Sequence, residues 1–517
     1  MYLMTLINDT IKNIQNLEEL KYFNIYFLLL GIFYGGVVMN DKRIPLKSDE
    51  LEELFNNNVG DYGYKGDCEC NGDKEETYRT SLRRQRDKIL YTGGFRRLQD
   101  KTQVISATIS GDHRTRLTHT LEVEQIAVSM ANALRLNVDL VSAIAFGHDV
   151  GHTPFGHAAE RTLNNLLEYS GGFNHSIQSI KYIWEKYGDK IQKEIYEGIL
   201  LHDSDMYQIC KENAKKQLKY VEYGDDKKVR DYKVKFTEFF DYIGNFPSTL
   251  EAQVVIWADK IAYITHDLED FRRSEAYTDL KKNDESIEEK LSNILNNLIK
   301  DKEIKKVDYK SRDLIRNIIG ELVESSAETI KDLDYKNIKE ETEKKRDKEN
   351  KETNSKTKKE YLDSLLINCT DDYRKHYYEL REFLDDYYIF SPQVQRSDGK
   401  AKIIIEWLFG QLTSNYKLAP LHIRDEIDKT IIMESKEIVK KVSRNNELKK
   451  LIKEGKELNI RDFDKNFEEN NSLADKYNLI KKEIIDRKIA SYIATMSDTY
   501  AESMYRNLIG SKVDLII

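Results

Sequence analysis

Residues 138–160 read VDLVSAIAFGHDVGHTPFGHAAE, and their reading decides the fold. They predict a helix over Val138–His148, a break at Gly151, and a new helix opening at Thr153-Pro154. Thr would be its cap and Pro its first helical residue. His148, His152 and His157 fall within ten residues of a chain that holds only 10 histidines in 517, so this turn is a candidate for chemistry. Working outward, a helix is expected over Thr115–Leu134, where Leu121, Ile126, Ala127, Met130 and Leu134 give an apolar stripe. Another is expected over Leu250–Phe271. The stretch from Arg79 to Ser274 holds eight of the ten histidines and marks the chemical core.

The whole chain reads as mainly α. Proline is scarce at 5, glycine modest at 24, and Leu, Ile, Lys and Glu are abundant. Hydrophobic residues make up 40%, enough to fill a core under a heavily charged surface. A net charge of -8 argues against a chain that coats DNA, although a local basic groove is compatible with it. The four cysteines, Cys68, Cys70, Cys210 and Cys369, form no paired framework, which suits a reduced, cytoplasmic setting.

Four regions are expected. Residues 1–45 form an N-terminal extension, 46–330 the catalytic core, 331–365 a charged insert or linker, and 366–517 a C-terminal helical part. Within the insert, residues 339–360 carry no apolar side chain and cannot bury surface. Within the extension, residues 22–39 carry no charge and approach the minimum length of a membrane-spanning helix. Three readings are open: a membrane anchor, a helix packed on the core, or a stretch ahead of a start at Met39. The last two are preferred, because MNDKRIPL from Met39 resembles a cytosolic beginning. A membrane location is not expected.

The chemistry centres on His119, the neighbours His148 and Asp149, and Asp259. Imidazole with carboxylate is a ligand set for a divalent cation of the Mn, Fe, Zn or Mg type. Arg116 lies three residues before His119, on the same helical face, where its fork of donors suits a phosphate. Asp259, Tyr263 and Asp267 follow at i, i+4 and i+8, spanning about 12 Å of one face. Lys260 is one step round. An ordinary amphipathic helix with its polar side outward explains that spacing equally well. His157 and Glu160 stand at i and i+3 near a helix start, where the carboxylate could orient and charge the imidazole. A surface histidine beside a helix-start acid is the plainer alternative. His175, after Gly171-Gly172, reads as a loop or helix-start residue able to protonate a leaving oxygen.

At these residues the chain resembles the HD superfamily, in the order H…HD…D. More narrowly, it is similar to the deoxyguanosine triphosphate triphosphohydrolases and their animal relative, the sterile-alpha-motif and HD-domain dNTPase. The resembling strings are FRRLQDKTQV (95–104), RTRLTHTLEV (114–123), HDVGHTPFGHAAE (148–160), EGILLH (197–202), ADKIAYITHDLED (258–270) and RKIASYIATMSDTYAESMYRNL (487–508). The resemblance implies an HD-domain helical core that hydrolyses dNTPs to nucleoside and triphosphate. His119, His148, Asp149 and Asp259 would hold the cation, expected as Mg2+ or Mn2+, with Fe or Zn as further candidates. It implies catalytic roles for His157, Glu160 and His175, and a pocket role for His152. Arg116, Lys260 and Tyr263 would contact phosphate, and Gln103 and Asp267 the sugar 3′-hydroxyl. It also implies a homo-oligomer, a hexamer or other ring. The same metal set would serve an HD phosphodiesterase or nucleotidase, or a non-catalytic nucleotide sensor.

Overall fold

The computed structural model describes residues 79–103, 114–203, 211–217, 242–283, 286–299, 310–331, 365–442 and 471–509, and the isolated positions 239, 362, 460, 461 and 464. The apolar stretch 22–39, the charged run 339–360 and Cys68, Cys70 and Cys210 lie outside them. Among the described residues no helix is long and apolar enough to cross a membrane. Secondary structure there is helical, with one isolated bridge, Thr102 to Thr115.

The principal helices are α1 (Ser81–Leu90), α2 (Arg116–Ala133), α3 (Val138–Gly147), α4 (Gly156–Leu166), α5 (His175–Tyr187), α6 (Lys193–Leu200) and α7 (Leu250–Arg273). Then follow α8 (Ser286–Leu298), α9 (Ser311–Lys331), α10 (Asp371–Leu384), α11 (Pro392–Ser414), α12 (Leu421–Val442), α13 (Asn471–Ala494) and α14 (Asp498–Ile509).

Helix α2 starts where Thr115 caps it in a reciprocal box with Thr118. Asn137 caps α3 through Leu140 N–H, and Asn174 caps α5 through Ser176 and Ile177. These short polar residues satisfy donors that a helix start leaves open. Helix α7 is the central pillar. Val254, Val255, Ile256, Trp257, Ala258, Ile261, Ala262 and Ile264 are all fully buried, against α2, α3 and α6. Each large apolar side chain so buried stabilises by roughly 1.5–3 kcal/mol.

A second apolar cluster joins distant parts of the chain. Ala159 and Leu163 of α4, with Leu167 and Phe173, pack with Ile404, Ile405 and Leu408 of α11 and Ile489 and Ile493 of α13. The C-terminal helices therefore brace the histidine-bearing segment directly.

Three local expectations need correction. Helix α4 begins at Gly156, not at Thr153-Pro154. Phe155 adopts a left-handed φ of 58°, and Thr153 turns its hydroxyl to Gly156 O instead of capping. Leu121 is exposed, because the inward stripe of α2 runs through His119, Val123, Ile126, Ala127 and Met130, on the opposite side. Leu134 is only partly buried, as the C-cap.

Candidate active site

Helix α3 ends at Gly147, and its C-cap is His148. The chain then turns sharply through Asp149 to His152, whose N–H donates to Asp149 O at 3.0 Å. Ser179 of α5 holds this turn at both ends, accepting from Gly151 N–H and donating to His148 O. A Cβ at Gly151 would lie 2.2 Å from Ser179 N, so only glycine permits this approach.

His148 Nδ1 lies 2.6 Å from Ala145 O. A carbonyl only accepts, so Nδ1 carries a proton; burial lowers the ring's pKa, but Asp149 and Asp259 raise it overall, and giving up the Nε2 proton would turn a lone pair inward to a cation. That Nε2 is buried and has no hydrogen-bond partner. Asp149 Oδ2 is 3.5 Å from it and Asp259 Oδ1 4.0 Å. His119 Nε2, from α2, is 2.9 Å from the same Asp259 oxygen. Donor atoms of His119, His148 and Asp259 all lie within 4.8 Å of one another. Such spacing suits one cation at roughly 2–2.6 Å from each, and fixing the distal ring nitrogen is how metal-binding histidines are oriented. Burial opposes ionisation of Asp259, but His119 and His148 hold its carboxyl well below the usual range. Burial likewise opposes charge on Asp149, and Arg116 and His148 overcome it. The cluster therefore concentrates negative charge where a divalent ion would sit.

Beside it lies an acid–base array built on one carboxylate. Glu160 Oε2 is 3.0 Å from His157 Nδ1, and Oε1 is 2.8 Å from His175 Nδ1. Glu160 also accepts from the His175 N–H. Burial would neutralise Glu160, yet His175 and His157 keep it ionised, well below the usual range. Burial presses against charge on His175, but Glu160 raises its pKa to about 9. His157 is the accessible ring, its side chain 41% exposed.

His202 belongs to this array and sequence reasoning left it without a role. Its ring packs edge-on, 5.0 Å from His148 and 5.1 Å from His175. Its Nδ1 points at Ile199 O, and its Nε2 is 3.2 Å from His175 Nε2. With both Nδ1 atoms committed as donors, two neutral rings would face each other lone pair to lone pair. A shared proton or a cation relieves this. Burial, then His148 and His175, push His202 down to about 4, so the proton resides on His175. The signal in sequence was EGILLHD, a histidine just past a helix end and directly followed by Asp203.

The opposite wall is cationic. Arg116 is 2% exposed; its NH1 contacts Asp149 at 2.5 Å, while Nε and NH2 have no partner. Lys260 and Tyr263 extend from α7, and Arg381 of α10 lies 4.4 Å over the Tyr263 ring. Tyr377, Tyr378, Arg381 and Asp385 complete a cavity of about 790 Å³. None of these four was anticipated, since α10 and Asp385, which follows it, lie more than two hundred residues beyond the turn. Gln103 lines the cavity with a buried, unpartnered Oε1. Two expected residues do not line it. His152 is wholly buried behind the Glu160 array, and burial with Arg116 keeps its ring neutral. Asp267 lies buried one turn beyond Tyr263, and burial lifts its carboxyl to about 8.

The HD domain signature matches residues 116–264. A deoxyguanosinetriphosphate triphosphohydrolase-like protein of Rickettsia bellii is 31% identical over 372 residues, covering 68% of this chain and 84% of the relative. The chain belongs to the deoxyguanosinetriphosphate triphosphohydrolase-like family. Relatives bearing the same name include one from Caldanaerobacter subterraneus, 40% identical over 50% of this chain and 62% of its own length. Another, from Syntrophus aciditrophicus, is 44% identical over 38% of this chain and 45% of its own. The chain thus spans about half of each of these two relatives. In this triphosphohydrolase-like chain the HD match encloses His119, His148, Asp149 and Asp259, whereas Gln103 and the α10 wall fall outside it.

Proposed function

We propose that this protein hydrolyses deoxynucleoside triphosphates, dGTP among them, to deoxynucleoside and inorganic triphosphate. One observation carries the reading. A single cavity holds the His119–His148–Asp259 cluster, the His157–Glu160–His175 array and the partnerless Nε and NH2 of Arg116. Its size lies within the usual range of about 300–1,000 Å³ for small-molecule sites.

His119, His148, Asp149 and Asp259 would hold a divalent cation, Mn2+ or Mg2+. When bound, that ion supplies Lewis-acid polarisation of a phosphoryl oxygen and a lowered pKa for water. Arg116 keeps Asp149 ionised with one amino group and offers its other donors to a phosphate oxygen. Lys260 adds positive charge near the triphosphate. Water attacks the α-phosphorus and loses a proton to solvent, the bond to the 5′-oxygen breaks, and that oxygen leaves with a proton. The histidines on Glu160 deliver the proton, His157 at the mouth and His175 in the floor. The triphosphate departs intact. Gln103, whose buried carbonyl oxygen lines the cavity without a partner, would accept from a sugar hydroxyl. Assembly into a ring of identical subunits is part of the same proposal, and light scattering of the full chain reads the number.

The test is product analysis. Purified protein with Mn2+ or Mg2+ and each dNTP or rNTP is resolved by ion-exchange chromatography. Inorganic triphosphate from dNTPs is expected. A nucleoside monophosphate or orthophosphate as the released product would replace this reading with a nucleotidase or phosphodiesterase.

A further inference from the structure

Two pocket segments that are distant in sequence meet one side chain of α14. Asp498 opens α14 and is 8% exposed. Its Oδ2 accepts from Thr102 N–H at 3.0 Å and from the Thr102 hydroxyl. Its Oδ1 accepts from Phe155 N–H at 2.9 Å. Thr102 immediately precedes Gln103, which lines the cavity. Phe155 is the left-handed N-cap of α4, the helix carrying His157 and Glu160. Thr102 also bridges to Thr115, the cap of α2, and Arg116 N–H donates to Lys101 O. The fully buried Lys101 adds a second link from the same end of the molecule, with Nζ bonded to His152 O and, at 2.8 Å, to Ala494 O. Thr499 donates to Asp100 as well.

We propose that Asp498 is a positioning residue that bridges Thr102 and Phe155 and so fixes the gap between the Gln103 wall and the His157–Glu160 helix. Both of its oxygens are needed, because three donors converge on them. Asparagine would keep one acceptor and aim an NH2 group at either Phe155 N–H or the Thr102 donors, leaving buried donors facing each other. The last helix then governs the pocket although none of its own side chains lines it. The kinetic part of the inference rests on the dNTP reading above; the structural part does not.

Amide exchange of the full chain without nucleotide, read on short peptides, comes first. Asp498→Asn should raise exchange at residues 101–103 and 155–157 by about tenfold, with α7 unchanged. Glu502→Gln, one turn further along α14, should raise neither. With dGTP and Mn2+, Asp498→Asn should lower kcat by about tenfold to a hundredfold and also raise KM. A mere loss of folded enzyme cannot move KM. Thr102→Ser, which keeps both donors, should retain wild-type kinetics, whereas Thr102→Val should fall part-way. The double variant Asp498→Asn/Thr102→Val should be no worse than Asp498→Asn alone, since the two act through one contact. Should Asp498→Asn not fold, the Thr102 pair carries the test. Wild-type exchange at both segments in Asp498→Asn, a uniform rise over the whole chain, or equal kinetics for Thr102→Ser and Thr102→Val would overturn the proposal. A wild-type chain that releases no triphosphate refutes the dNTP reading instead, and the exchange result then decides the role of Asp498.

Discussion

Replacing Arg116 by glutamine tests the pocket where its charges are densest. The guanidinium is buried, contacts Asp149 through NH1, and leaves Nε and NH2 without partners. If those two donors grip a phosphate, each contact is worth about 1.5–3 kcal/mol, as hydrogen bonds to charged groups are. Losing both removes about 3–6 kcal/mol, or roughly two to four orders of magnitude in kcat/KM. Lysine at this position keeps a point charge that cannot span Asp149 and phosphate together, so Arg116→Lys should lose about half of that free energy. A second consequence needs no substrate. Without Arg116 the buried Asp149 carboxylate loses its guanidinium partner and keeps only His148 beside it, which costs up to about 3–5 kcal/mol in metal-free protein. Divalent cation should therefore raise the melting temperature of Arg116→Gln more than that of the wild type. The assays are triphosphate release from dGTP at saturating Mn2+, and thermal melting with Mn2+ or EDTA. A kcat/KM within about fivefold of wild type, with equal metal-induced shifts, would refute the reasoning.

His148→Ala and Asp149→Ala should each abolish turnover and bound metal while the helical circular-dichroism signal persists; activity at matched metal content would remove the ligand assignment. The pH dependence of stability follows from His175, whose pKa is raised to about 9 when folded, against an unfolded value near 6.5. A raised histidine pKa contributes stability that is fully present below pH ~6.5 and is lost as pH climbs through ~9. In EDTA, the melting difference between wild type and His175→Gln should shrink across that window, and a flat difference would contradict the Glu160 pairing. Gly151→Ala should destabilise by about 1–3 kcal/mol, measured by urea unfolding, because its Cβ meets the α5 backbone at Ser179.

Much of this protein was legible from residue order. The helical periods of α2, α3 and α7 follow from local spacing and short polar caps, which is why their predicted bounds match to within about two residues. The start of α4 was misplaced because a Thr-Pro pair satisfies the local rule for a helix start. The left-handed Phe155 that displaces it is tied instead to Asp498, more than three hundred residues away. The His148-Asp149 pair and His119 stood out by composition and spacing. His202, Arg381 and Tyr377 did not, because His202 lies just past the end of α6, and Tyr377 and Arg381 sit one turn apart on α10, more than two hundred residues beyond the His148-Asp149 turn.

By itself, the sequence determined which helices form and which imidazoles and carboxylates are available, since both depend on chemistry within a turn or two of the chain. Tertiary structure decided which of them share a cavity. It set His202 against His175, brought α10 over Tyr263, and left His152 and Asp267 behind the wall. Those outcomes depend on how helices pack around α7 and α11, and packing is set by the summed burial of apolar surface across the whole chain, not by any local pattern.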